Sequence, residues 1–237
     1  GDEAILAAAT AFEGYRDYAL GVIADRRDDP RDDLMSLLVH AEVDGDRLDD
    51  DSLVHEALLI LIGGDETTRH VISGGMYQML VHPDQWADLI ADRGLIPDAV
   101  EEMLRWVSPI KNMARTVTRD VELGGQTMAA GDEVLLLYPS ANRDEDVFAD
   151  PFRFDMRRHP NEHVAFGFGA HFCLGNSLAR LELTTMVDRL AERLPDLRLD
   201  EGMASEANLA PRPANFVSGY ERMPVTFTPS APAGARQ

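Results

Sequence analysis

In separate segments up to Val107 the residue pattern of this chain is helical; from residue 113 the texture changes. That switch restricts the fold, because a 3.6-residue period and a two-residue period bury their apolar faces against different partners. Five segments carry the helical period: 3–27, closed by "DDP"; 31–43, where Leu34, Leu37, Leu38 and Ala41 share a face; 52–81, stopped by His82-Pro83; 83–92; and 97–107. Gly45, in "VDGDRL", punctuates the second and third. Residues 113–137 bring β-branched residues and paired glycines, the pattern of short strands and hairpins. A stretch rich in Pro, Asp and Arg runs irregularly from 139 to 162. A helix is expected over 173–193 and short strands near 196–200, 216–218 and 225–228, while the tail "PSAPAGARQ", 229–237, is expected to be disordered. The expected class is mainly α with a small β portion.

Composition narrows the function. The 237 residues suffice for one large domain or two small ones. Forty-two acidic residues against 22 basic, a net charge of -20, argue against a general nucleic-acid binder, which needs basic patches to neutralise phosphates. The apolar run Ala57 to Ile62, matched in length by Ala4 to Ala9, falls far short of the roughly 20 residues that cross a bilayer. No charged-then-apolar leader opens the chain, and one cysteine forms no internal disulfide, so a reducing cytoplasm is expected. The chain starts at Gly1, directly in a helical pattern, as a processed or truncated piece would.

That single cysteine, Cys173, lies in "HVAFGFGAHFCLGNSLARLEL", residues 163–183. Gly167, Gly169 and Gly175 permit unusual backbone angles and close approach of a flat partner. A cysteine where a glycine-rich loop enters a helix favours the thiolate, and Phe166, Phe168 and Phe172 are placed to shield it. A shielded thiolate beside a planar group suits an axial haem ligand. Three rival readings stand beside it: an inert buried cysteine, a zinc site for which only His163 and His171 are near, and a Cys–His nucleophile with His171 poorly placed as the base.

The segment "FGFGAHFCLG", 166–175, resembles the haem-binding signature of the cytochrome P450 family, F-x-x-G-x-x-x-C-x-G, through Phe166, Gly169, Cys173 and Gly175. The resemblance implies that Cys173 is the proximal ligand of the iron of haem b and that His171 donates to a haem propionate. Arg115, in "NMARTVT", aligns with an arginine that binds a propionate.

A second segment, "LLILIGGDETTRH" at 58–70, sets Gly63 and Gly64 inside an apolar helix at about 1 kcal/mol each relative to alanine. Two readings stay open on periodicity: a local distortion admitting water or a small ligand, or a helix end at the glycines with Asp65 or Thr67 capping the next helix. The segment is similar to the family's oxygen-binding motif, A/G-G-x-D/E-T-T. On that resemblance Gly63 and Gly64 make room over the haem, Glu66 feeds a proton relay, and Thr67 holds dioxygen and its water. "EEMLRW" places Glu102 and Arg105 three apart on one helix face, ordinarily a surface ion pair. It also matches the family's E-x-x-R, and "PFRF", 151–154, resembles the segment whose arginine completes that network. Glu102, Arg105 and Arg153 are therefore expected to brace the segment leading to the cysteine loop.

The resemblance runs from the family's helix G to its C-terminus. Residues 1–228 then form the C-terminal part of a single domain of helices G to L, with the N-terminal part absent. Candidate substrate contacts are Ile60, Gly63, Ile110, Met113, Phe216 and Val217, which also fit ordinary core packing. Being mainly apolar, they favour a hydrophobic substrate. "LIGGDETTRH", "EEMLRWVSPIKNMAR" and "RPANFVSGYERMPV" look similar to actinobacterial members that hydroxylate the terminal side-chain carbon of cholesterol or cholest-4-en-3-one. The implied reaction uses dioxygen and electrons from a ferredoxin with its NAD(P)H-dependent reductase. Arg157, Arg158, His159 and Arg180 flank the cysteine loop, and a basic docking patch for an acidic ferredoxin is expected there.

Overall fold

The computed structural model describes residues 2–202, 209 and 214–229, and the chain divides into two compact units, Gly1–Gly64 and Asp65–Gln237. The tail expected to be disordered lies, apart from Pro229, outside the described residues. Among the described residues the secondary structure is mostly helical with three two-stranded sheets. No described helix is long and apolar enough to cross a membrane.

The first unit holds α1 (Asp2–Asp28), α2 (Leu34–His40) and most of α3 (Asp50–Asp65). Ala19, Ile23, Val39, Leu53 and Val54 form its core, with Phe12, Tyr15 and Leu38 packed around them. Helix α2 is shorter than the expected 31–43. Asp33 caps its start, accepting from Ser36 N at 2.8 Å, and Ala41 leaves the helix with ψ 139. A tight turn follows, with Asp44 and Gly45 at positive φ and Val43 bridged to Asp46. Asp49 caps α3 through Ser52 N at 2.8 Å, so that helix starts before Ser52.

The expected continuous helix over 52–81 is interrupted. Helix α3 passes through both glycines and ends at Asp65; α4 (Thr67–Val81) begins beyond Glu66, which occupies the N-cap position without a side-chain capping bond. Neither open reading describes this fully: the glycines stay helical and the break falls after them.

In the second unit α4, α5 (Pro83–Ala91), α6 (Ile96–Val107) and α8 (Asn176–Arg193) enclose a core that includes Met79, Leu89, Met103, Phe154, Met156, Leu183 and Val187. Gly75 lets α4 lie against α6, because a Cβ there would sit 2.2 Å from Met103 Cε. Ile96, Ala99, Val100, Met103 and Leu104 bury the apolar face of α6, and Glu102 and Arg105 are buried too. Ser108, at φ 40, ends the helix before Pro109.

Strand β1 (Asn112–Thr116) pairs antiparallel with β4 (Glu133–Leu137), Arg115 opposite Val134. Between them β2 (Val121–Leu123) and β3 (Gln126–Met128) form a hairpin turned by Gly124 and Gly125, both at positive φ as a primed two-residue turn requires. The short helix α7 (Tyr138–Ala141) opens the irregular stretch, and β5 (Arg198–Leu199) pairs with β6 (Val225–Thr226). The strand expected near 216–218 reduces to a single bridge, Ile110 to Val217.

Candidate functional site

Hydrogen bonds between main-chain groups shape the cysteine loop. Gly167 N donates to Val164 O at 2.9 Å, Cys173 N to Phe166 O at 2.9 Å, and Phe172 N to Gly169 O at 3.0 Å, closing a single 3₁₀ turn over Gly169–His171. Gly167 and Gly169 take φ 73 and 68. A side chain at Gly167 would also press on His171 O at 3.4 Å and lie 3.7 Å from the Tyr138 hydroxyl. Cys173 is half-buried, and its carbonyl accepts from Asn176 N at 3.3 Å and Asn176 Nδ2 at 2.8 Å. Because that carbonyl is taken three residues on, regular helical bonding starts only with Ala179 N to Gly175 O at 2.9 Å. Helix α8 therefore begins at Asn176 and not at the cysteine, contrary to the sequence expectation.

The three phenylalanines divide. Phe166 packs against the core, its ring 4.6 Å from the Arg180 guanidinium and edge-on to Phe172 at 6.3 Å. Phe168 is 86% exposed, and Phe172 and Leu174 are also exposed, so the loop presents an apolar outer surface. Among the described residues no group of three His, Cys, Asp or Glu side chains is arranged to hold a metal ion, which sets aside the zinc reading.

Two adjacent carboxylates on α6 bind the polypeptide on either side of this loop. Glu102 and Arg105 are both fully buried, with Arg105 Nε to Glu102 Oε2 at 2.7 Å and Nη2 to Oε1 at 2.8 Å. Arg105 Nη1 also donates to Asn142 O and Pro151 O, at 2.7 and 2.9 Å. The third arginine differs from the expected one. The Arg153 side chain is 68% exposed and comes only within 3.9 Å of Asp155; it serves the network through its carbonyl, which accepts from Arg105 and Arg158. Arg158 instead reaches Glu102 Oε2 at 3.2 Å with its side chain 10% exposed, joined by Asp155 N at 2.9 Å and Asn161 Nδ2 at 3.2 Å. Asn142, fully buried, ties Ser108 Oγ to Val164 N.

Glu101 accepts from His163 Nε2 at 2.9 Å, Arg180 Nε at 2.6 Å and Arg180 Nη2 at 2.9 Å. Burial pushes its carboxyl up, but those hydrogen bonds and the two nearby charges outweigh burial and hold it at about 2. The Arg180 guanidinium is shifted up, first by the hydrogen bond to Glu101 and more weakly by the charge of nearby Cys173.

The anticipated basic patch is thereby dismantled. Arg158 is enclosed by Glu102, Arg180 by Glu101, and Arg157 pairs with Asp88 at 3.0 Å; of the four, only His159 has no ion pair among the described residues. Sequence reasoning also overlooked Glu101, Asn142, Asn161 and Asn176, although repeated Asn and Arg in a segment lacking secondary structure signal side chains replacing main-chain partners.

The remaining candidates lie as follows. Arg115 is exposed, donates to Ala114 O at 2.8 Å and has no carboxylate partner among the described residues; His171 is exposed. Glu66 Oε1 accepts from Arg69 at 2.9 Å, its Oε2 lies 4.0 Å from His70 Nε2, and Thr67 starts α4. Ile110, Met113, Phe216 and Val217 converge on two neighbouring segments, joined by Lys111 N to Phe216 O at 2.8 Å and Ser218 N to Pro109 O at 3.2 Å. Ile60 and Gly63 belong to the first unit, on α3; Gly64 follows on the same helix, and an added Cβ at either glycine meets no described heavy atom within 4 Å.

Comparison with known proteins gives concordant matches. The family model for cytochrome P450 matches residues 7–195. The chain is 59% identical over 224 residues to a steroid C26-monooxygenase of Mycobacterium tuberculosis (strain CDC 1551 / Oshkosh), covering 94% of this chain and 59% of the relative. It is 58% identical over 221 residues to the steroid C26-monooxygenase of Mycolicibacterium smegmatis, covering 93% of this chain and 54% of that protein. The crystal structure of CYP109E1 from Bacillus megaterium in complex with testosterone superposes with a TM-score of 0.88 at 34% identity, over 94% of this chain and 61% of that one. The chain thus spans less than two thirds of the length of each.

Proposed function

Since the chain belongs to the cytochrome P450 family, we propose that it carries the haem-thiolate site of a monooxygenase that hydroxylates a hydrophobic substrate, a steroid side chain such as that of cholesterol or cholest-4-en-3-one. The observation that carries this reading is a single cysteine held in a glycine-shaped, apolar loop, with no group of three His, Cys, Asp or Glu side chains arranged to hold a metal among the described residues. A lone thiolate fits a metal whose other in-plane donors come with a macrocycle, as in haem b.

The residues present fit that group. Gly169 and Gly175 leave open space where a Cβ would project, and Phe168, Phe172 and Leu174 offer an apolar bed. Cys173 would be the ligand, with Phe166, Gly167, Gly169 and Gly175 shaping its loop. Arg115 and His171, exposed cations or donors in an acidic chain, would hold the propionates. Haem, when bound, supplies the activation of dioxygen. Within the chain, the Glu66 carboxylate, oriented by Arg69, takes up and passes on protons, and the Thr67 hydroxyl holds dioxygen and water by hydrogen bonding.

Support for the steroid comes from the relatives, whose names state steroid C26 chemistry at 58–59% identity, and from the apolar set Ile110, Met113, Phe216 and Val217. A ferredoxin with its NAD(P)H-dependent reductase supplies the two electrons.

The test is the absorption spectrum of the haem-loaded protein, reduced and exposed to carbon monoxide, beside Cys173→Ala. The strongly red-shifted Soret band of thiolate-ligated haem, lost in the variant, is the expected result. A band typical of histidine ligation in the parent refutes the assignment. Cholest-4-en-3-one with ferredoxin and reductase should then yield a side-chain alcohol; oxidation of the reductant without product removes the steroid assignment.

A further inference from the structure

Both main-chain groups of Cys173 are held by residues that Arg180 touches. The Cys173 N–H donates to Phe166 O at 2.9 Å, and the Phe166 ring lies under the Arg180 guanidinium at 4.6 Å. The Cys173 carbonyl accepts from Asn176 Nδ2 at 2.8 Å, and the other end of that amide, Oδ1, accepts from Arg180 Nη1 at 3.1 Å. The last bond fixes which way the Asn176 amide points, because only its oxygen accepts from a guanidinium. Arg180 is itself locked by a two-point bond to Glu101 on α6. His163 adds a third donor to that carboxylate, its Nδ1 accepting from Ala165 N at 3.2 Å so that Nε2 carries the proton.

From this arrangement we infer that Glu101 and Arg180 are a positioning pair for Cys173, setting where its sulfur stands relative to the haem iron; the inference rests on the haem-thiolate reading above. A loop built on two positive-φ glycines has little intrinsic stiffness. The pair supplies it from α6, which is anchored in the core by Met103 and Ala99. The task needs an arginine. Three of its nitrogens bond in one plane while the face of that plane covers Phe166; a lysine keeps the charge but provides neither the fork nor the flat face.

Arg180→Lys and Asn176→Leu, made in the full-length holoenzyme, separate positioning from folding. Expected for each is one haem per chain and a Tm within about 3 °C of the parent, roughly the shift of a 1 kcal/mol change in a domain of this size. The share of the ferrous carbon monoxide complex showing the thiolate band should fall at least two-fold. The double variant should lose no more than the worse single, because both break one relay. An unchanged share in both singles overturns the inference, as do losses that multiply in the double. Should Arg180→Lys not fold, Asn176→Leu decides alone: a two-fold loss at parental Tm supports the relay, and a parental spectrum sinks it. A parent without any thiolate band overturns the haem-thiolate reading itself, and the inference with it.

Discussion

Replacing Glu102 by glutamine changes no volume and removes one charge from a site with no access to water. Its two oxygens accept from Arg105 at 2.7 and 2.8 Å, from Asp155 N at 2.9 Å, from Arg158 at 3.2 Å and from Asn161 at 3.2 Å. Every one of these partners is a donor. Glutamine turns one acceptor oxygen into an NH₂ that points at other donors, and leaves two guanidinium groups facing each other without a counter-charge. Removing one member of a buried ion pair costs about 3–5 kcal/mol. With a urea slope of about 2 kcal/mol/M, the unfolding midpoint should drop by roughly 2 M. Arg158→Met, which spares the Arg105 pair, should cost about 1.5–3 kcal/mol, the range for hydrogen bonds to charged groups. Arg153→Met should cost under about 0.5 kcal/mol, as for an exposed ion pair. Tryptophan fluorescence reads the relevant part of the molecule, because Trp86 and Trp106 both pack in the core of the second unit. A midpoint for Arg153→Met as low as that of Arg158→Met, or a shift under about 0.5 M for Glu102→Gln, would refute the reasoning.

Two further outcomes follow from named contacts. Glu101 sits at about 2 against an ordinary 4.5, so its contribution is full above pH 4.5 and fades as pH falls toward 2; Glu101→Gln should flatten the acid limb of the urea midpoint in that window, and equal slopes would count against the assignment. Gly63→Ala and Gly64→Ala fill open space in a helix and should each stabilise α3 by about 0.5–1 kcal/mol in far-UV circular dichroism unfolding while lowering haem-dependent turnover. Stability that falls in both variants would show the glycines to be needed by the fold alone.

The sequence made visible whatever depends on local spacing. Helices α1, α4, α5 and α6 and the Gly124-Gly125 hairpin follow from period and turn chemistry, and four matched positions around Cys173 disclosed the loop. The sequence leaves a break in this region open but not its place at Glu66, because residues 63–70 hold no apolar side chain whose spacing could mark it. The start of α2 depends on the capping bond at Asp33, and the start of α8 on the bonds that Asn176 gives the Cys173 carbonyl; spacing ranks neither. The exchange of Arg153 for Arg158 depends on contacts across more than fifty positions. The same holds for the basic patch: cations adjacent in sequence are consumed separately by Asp88, Glu101 and Glu102, and no local pattern shows which carboxylate each will find.

The segment from Asp155 to His163 takes its long-range side-chain ties from Gln85, Asp88, Glu101 and Glu102, 53 to 71 positions earlier in the chain. That separation predicts an order of events during folding. The segment has no ladder of its own, and closing a long loop costs entropy before any contact repays it. The expected order is that helix α6 forms first, the irregular segment then settles onto its two carboxylates, and the cysteine loop takes shape last. A prosthetic group captured by that loop therefore meets a late intermediate, so mutations that slow the docking of residues 155–163 should delay its capture while leaving the early rise in helicity untouched.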